Sequence, residues 1–291
     1  MTFADFTRTV VAADGYFEKG QTEWARGNIE AATREFEQAL QVYPGFREAL
    51  IALTKMYGTR SLVPDVQDLT KTIEYGEKLL QVDSNNSNGY ALVAAAYARR
   101  ADLPNHDGDF EKAIEHLNKA LLLDPHDAAT YCQLAGIYTH PSRKNLQKAS
   151  TLYEQALRIQ PASDTAYIGL GNIDQQNGEL DRAIQSYKKA LSIDPSSDSA
   201  RMGLCETWIQ KGDKDAALAE LRKVQDPQLV QWLGQKFEEQ FRVKVQEVSA
   251  GQVGSWSTDA WAQTNDDQSE WENYRKALAR CERAGKDCSV E

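Results

Sequence analysis

The chain has 291 residues, of which 41% are hydrophobic, 26% charged and 9% aromatic, enough to build a folded core and too apolar for a disordered chain. Thirty-three basic residues against forty-three acidic ones give a formal net charge of −10, so nucleic acid and anionic membrane surfaces are repelled on average and neither is expected as a partner. No window resembles a membrane span, the first residues lack the basic-then-apolar order of a secretory signal, and four cysteines without a CxxC pair make neither a disulfide scaffold nor a zinc ribbon; a cytoplasmic protein is the expectation.

In chain order, residues 1–12 put Phe3, Phe6 and Val10 at helical spacing and read as a helical extension. A periodic pattern follows. Pro125, Pro161 and Pro195 are spaced by 36 and 34 residues, and Pro44 precedes Pro125 by 81, about two such periods. The segments 30–44, 111–125 and 181–195 share an alanine, a bulky residue four later and an alanine three after that, as in Ala183, Tyr187 and Ala190. Charges fill the other face, so each segment is an amphipathic helix that its proline stops. A second helix lies upstream of each, as in 164–177, which ends at Gly178, a residue suited to the left-handed position after a helix. The unit is a helical hairpin. Small residues are needed where its helices cross, which accounts for Gly20, Ala94, Ala135 and Gly171 opposite Ala32, Ala113, Ala149 and Ala183.

Tyr167, Leu170-Gly171, Ala183, Tyr187, Ala190 and Pro195 together resemble the tetratricopeptide repeat. Six copies are read, at 13–45, 46–85, 86–126, 127–162, 163–196 and 197–226. The resemblance implies an all-α fold, a right-handed superhelical solenoid of about six helical hairpins. Copy two carries Thr72 and Gly76 at the alanine and aromatic positions and Ser84 for proline, so looser packing is expected there. Copies two and three run long between their helices, at 58–65 and 100–108, either as contact loops or as insertions tolerated at a solvent-facing turn. In 227–247, Leu229, Trp232, Leu233, Phe237 and Phe241 form one stripe, suited to a helix that caps the last repeat.

The resemblance further implies a groove, lined by the first helix of each hairpin, that takes a peptide or helix of a protein partner. Carried over residue by residue, its positions include Phe17, Gln21 and Trp24, then Ile51 and Lys55, then Asn88, Ala91, Ala95 and Arg99. Later copies give Cys132, Gly136 and Thr139, then Thr165, Ile168, Asn172 and Gln175, and finally Met202, Glu206 and Ile209. Some family members hold the terminal carboxylate of chaperones with lysines, asparagines and an arginine, but here Phe17 and Gln21 stand where that lysine and asparagine would be. The asparagine ladder of certain glycosyltransferase solenoids is not matched by single residues such as Asn172. What the groove offers is apolar anchors beside small floors, suited to the apolar stripe of a partner helix or a neutral peptide. The 1–12 segment either extends the first helix or folds back into this groove.

No constellation for catalysis emerges. Cys132 and His140 sit on one predicted helix about 12 Å apart along its axis, beyond hydrogen-bond reach. Cys205 takes a small packing position, the histidines lack metal-ligand spacing, and Gly169-Leu-Gly171 lies inside a helix. A noncatalytic scaffold or adaptor without cofactor or metal is the leading expectation.

Beyond about residue 247 the period is lost. Residues 251–267 read as two short strands, and Ser269 caps a helix carrying Trp271, Tyr274, Leu278 and Cys281 before Gly285, so a small α+β appendage over 248–291 is expected. This stretch resembles the front of a small domain of unknown function found in secreted bacterial proteins, which has a cysteine at the helix end and a second after a glycine turn. That resemblance implies a Cys281–Cys288 disulfide in a periplasmic or secreted protein, an accessory subunit of an envelope or secretion apparatus acting through this segment. Two free thiols in a cytosolic tail is the other reading.

Overall fold

In the computed structural model, residues 2–59, 66–106, 108–224, 226, 228–236 and 240 are described. They are helical or in turns, with no strand among them. The chain divides into two compact units, Met1–Ile173 and Asp174–Glu291.

The first unit is a run of helical hairpins. Its first pair is α1 (Phe3–Ala25) with α2 (Ile29–Val42), and its second is α3 (Arg47–Thr59) with α4 (Val66–Val82). The third is α5 (Ser87–Ala101) with α6 (Asp109–Leu123), the fourth α7 (Ala128–Thr139) with α8 (Leu146–Ile159), and α9 (Asp164–Gln176) begins the next. α1 starts on a capping box: the Thr2 hydroxyl accepts from the Asp5 N–H at 3.1 Å while the Asp5 carboxylate accepts from the Thr2 N–H at 3.0 Å. The N-terminal segment therefore continues the first helix, with Phe6 edge-on to Tyr43 at 5.9 Å. Gly27, at φ +80°, supplies the left-handed turn between α1 and α2.

Small residues hold the hairpins together. Ala32, Ala94, Ala113, Ala135 and Ala149 are fully buried, and a Cβ on Gly20 would strike the Phe36 ring, itself fully buried. Truncating Phe36 to alanine would cost about 3–5 kcal/mol. The second copy is packed where looseness was expected: Val93 of α5, fully buried, puts a methyl where a Cβ on Gly76 would stand. A side chain from the following hairpin thus fills the space that an aromatic at position 76 would otherwise occupy.

Of the two long connections, 60–65 lies outside the described residues. The other is clasped at its base, where Arg100 Nε donates to the nearly buried Asp109 carboxylate at 2.6 Å. It also meets the turn after α7, because His140 Nε2 lies 3.2 Å from Asp102 and the His140 ring packs on Phe110 at 4.6 Å between centroids. This insertion is a contact between successive copies.

The second unit holds the end of α9, then α10 (Leu180–Ile193), α11 (Asp198–Lys211), α12 (Lys214–Leu221) and α13 (228–236). Gly178 at φ +78° and Gly212 at φ +82° take the left-handed conformation, the former as its place after a helix predicts. In α13, Val230 and Leu233 join Cys205, Ile209, Ala217, Leu221 and Val224 in one cluster, with Leu229 packed against it. The expected stripe needs correction at Trp232, which stays 40% exposed with the Lys236 ammonium 3.8 Å above its ring. At 100° per residue, burying Val230 and Leu233 turns residue 232 away. Phe237, Phe241 and the appendage expected over 248–291, including Cys281 and Cys288, lie outside the described residues.

Candidate functional site

In the first unit α3 lies against α5 and α5 against α7, so these three first helices are neighbours. At one end α1 presents Gln21 and, one turn on, Trp24, which is 41% exposed and edge-on to Phe36 at 6.3 Å. Lys55 on α3 and Asn88 on α5 are exposed, and Ile51 is half-buried. Asn172 on α9 is exposed as well. Between them α5 and α7 contribute Ala91, Ala95, Gly136 and Thr139, small and uncharged.

Several of the expected groove residues are engaged within the chain. Phe17 faces inward, its ring 5.3 Å from Phe36 and 5.5 Å from Phe46, so it belongs to the core rather than to an open surface. Arg99 Nη1 donates to the Gly58 carbonyl at 3.1 Å, tying the end of α5 to that of α3. Gln175 accepts a hydrogen bond from the Tyr187 hydroxyl at 3.1 Å, and Glu206 is paired with Lys236. Long polar side chains on a helical repeat reach their neighbours as readily as a ligand, which spacing alone does not reveal.

The sequence reading missed a ladder of contacts between copies. Glu37 Oε1 accepts from both the Tyr57 and Tyr75 hydroxyls, at 3.1 and 3.0 Å, and Lys71 Nζ donates to the Tyr57 oxygen at 3.0 Å. One copy later Glu77 Oε1 accepts from the Tyr97 hydroxyl at 3.1 Å and faces His116 Nε2 at 3.1 Å. In the second unit, Lys188 lies over the Trp208 ring at 5.4 Å. In all three the second-helix residue precedes its aromatic partner by twenty positions, a signal that was present in the sequence. Burial pushes the Tyr57 and Tyr75 phenols up and that of Tyr97 to about 12, with the adjacent carboxylates adding to the shift.

The residues weighed for chemistry are separated and occupied. Cys132 is buried and its thiol is pushed up by desolvation, while His140 is engaged with Asp102 and Phe110. Cys205 is fully buried, its thiol pushed up to about 12 by burial. Among the described residues no group of three or more His, Cys, Asp or Glu could hold a metal ion, and no helix there is long and apolar enough to cross a membrane.

Successive two-helix units with buried small residues at their crossings define a helical-repeat protein of the solenoid class. Family models described as "Tetratricopeptide repeat" match residues 13–46, 94–127, 142–198 and 175–228, together more than half of the chain, which therefore belongs to the tetratricopeptide repeat family. The mitochondrial import receptor subunit TOM70 of Mus musculus is 27% identical over 176 residues, 59% of this chain and 27% of that receptor, so the chain matches about a quarter of the receptor's length. Among solved structures, PilW, a type IV pilus biogenesis factor, superposes with TM-score 0.61 at 15% identity, covering 76% of this chain and 98% of PilW. Pseudomonas aeruginosa PilF superposes with TM-score 0.58 at 18% identity over 78% of this chain and 99% of its own. These likenesses establish the fold.

Proposed function

We propose that the chain is a noncatalytic scaffold or adaptor that holds a peptide or helix of a protein partner on its first-helix face. The observation that carries this reading is Trp24, a large aromatic left 41% exposed one helical turn from exposed Gln21. Aromatic anchors flanked by small, uncharged floors are the usual energetic centre of such interfaces. Family membership supports the same reading, since helical repeats present side chains on a rigid frame and leave specificity to a few of them. Phe17, Arg99, Gln175 and Glu206 act as internal braces, whereas Gln21, Trp24, Ile51, Lys55 and Asn88 form the contact set.

The test is capture of partners from native extract by the full chain and by a Trp24→Ala, Lys55→Ala variant, followed by calorimetric titration of the purified partner. Loss of a hot-spot aromatic predicts affinity weaker by about 30-fold or more, roughly 2 kcal/mol. Equal affinity, with equal thermal midpoints for the two proteins, would remove this face from the function.

A further inference from the structure

We infer that a subsite on the first-helix face, at Gly136 of α7, takes the carbonyl of a neutral peptide group, with the Tyr153 hydroxyl as donor. The inference rests on the peptide-binding reading above and assigns it a place and a ligand chemistry.

Tyr153 belongs to α8 and is 6% exposed. Its ring lies where a Cβ on Gly169 of α9 would stand, so a glycine there is what lets the side chain pass under α9. The hydroxyl emerges beside Gly136. Apart from chain neighbours and α7's own backbone, Tyr153 Oη is the one described atom within 4 Å of the place of a Gly136 Cβ, at 3.9 Å. Gly136 therefore leaves a shallow hollow with the phenol at its floor.

That phenol has no hydrogen-bond partner among the described residues. Tyr187, its equivalent in the next copy, passes under Gly203 in the same way, and its hydroxyl donates to Gln175 Oε1 at 3.1 Å. In the copy of Tyr153 the place of Gln175 falls to Thr139, whose hydroxyl donates to the Gly136 carbonyl at 2.7 Å. Among the described residues no acceptor takes up the Tyr153 hydroxyl as Gln175 takes up that of Tyr187. The small exposed part of Tyr153 lies at this hydroxyl, which no described side chain engages, so an acceptor arriving from outside can reach it.

The surroundings select the acceptor. Burial holds the phenol up at about 12, so it remains a donor at any physiological pH. The neighbouring Cys132 thiol is pushed up first by burial, with the charges of Asp164 and Asp127 adding to the shift, a setting that disfavours a further anion beside it. A neutral carbonyl remains, and Gly136 with Thr139 leaves room for a backbone amide rather than a bulky side chain.

The experiment screens a pool of N-acetylated, C-amidated octapeptides lacking Lys, Arg, Asp and Glu on the full chain. The strongest binder is then titrated against wild type, Tyr153→Phe, Gly136→Ala and Gly136→Leu. Tyr153→Phe should weaken it about 3–10-fold, the worth of one neutral hydrogen bond, without lowering the thermal midpoint, since no internal bond is lost. Gly136→Ala should fold as wild type, because its Cβ makes an ordinary contact, and Gly136→Leu should weaken binding more than Gly136→Ala does. A binder unaffected by Tyr153→Phe overturns the subsite and leaves peptide binding standing. Tighter binding of the same peptide as a free acid overturns the neutral class, and failure of the whole pool overturns both readings.

Discussion

Replacing Glu37 by alanine takes the acceptor from two tyrosines at once. The Tyr57 hydroxyl, on a side chain almost fully buried, and the Tyr75 hydroxyl both donate to Glu37 Oε1, at 3.1 and 3.0 Å. Each bond to an ionised acceptor is worth about 1.5–3 kcal/mol, and a stranded buried hydroxyl costs a similar amount. The oxygen of Tyr57 keeps Lys71, which limits the loss, so Glu37→Ala should lower stability by about 2–4 kcal/mol. Glu37→Gln retains a carbonyl acceptor without the charge and should recover roughly half of that. Urea unfolding followed by far-ultraviolet circular dichroism measures both, provided the slope with denaturant stays constant. A loss below about 0.5 kcal/mol for alanine, or glutamine no better than alanine, would show that the ladder is geometric coincidence rather than a brace between copies.

Burial raises the phenols of Tyr57, Tyr75, Tyr97, Tyr153 and Tyr187, so in the folded chain they keep protons that the unfolded chain releases above about pH 10. Stability should therefore be fully present below that pH and fall as pH rises through it, by up to about 1.4 kcal/mol per pH unit for each of Tyr153 and Tyr187. A thermal midpoint that stays flat to about pH 11, measured with phenolate absorbance, would contradict this assignment. Cys132 and Cys205 should resist alkylation in the native chain and react fully in denaturant, read by mass spectrometry of their two peptides. Labelling of Cys205 at the rate of a free thiol would mean that α11 and α12 separate readily.

What the sequence made legible was the repeat, because proline and alanine recur at fixed offsets and each has a backbone or packing reason to be there. Gly178 after a helix follows directly from those reasons, and so does a close approach at Gly20, although what Gly20 meets is the Phe36 ring rather than Ala32. Less legible was anything set by a residue's neighbour in the next copy. Val93 filling the space at Gly76, and Glu37 holding tyrosines of the following hairpin, depend on register between units, which a motif written for one unit leaves out. The same limit explains the groove. Spacing put Phe17 and Trp24 on one helix face, yet the ring of Phe46 from the next hairpin claims Phe17 and leaves Trp24 partly exposed. At Trp232 the error was one of phase, since a stripe of large residues was taken for the buried face while the smaller Val230 was what the cluster accommodated.

The Val93 plug also bears on how the chain comes to be folded. A hairpin completed by its own residues can close as soon as its second helix leaves the ribosome, but α3 and α4 enclose a vacancy at Gly76 until α5 delivers a valine. The second copy is therefore a debtor to the third during synthesis, and chains cut between residues 83 and 92 would expose that unfilled seam to chaperones and proteases. Shuffling copies would fail at the same place: the second hairpin can be followed only by one bearing a residue of valine's reach, so these repeats are ordered parts rather than interchangeable modules.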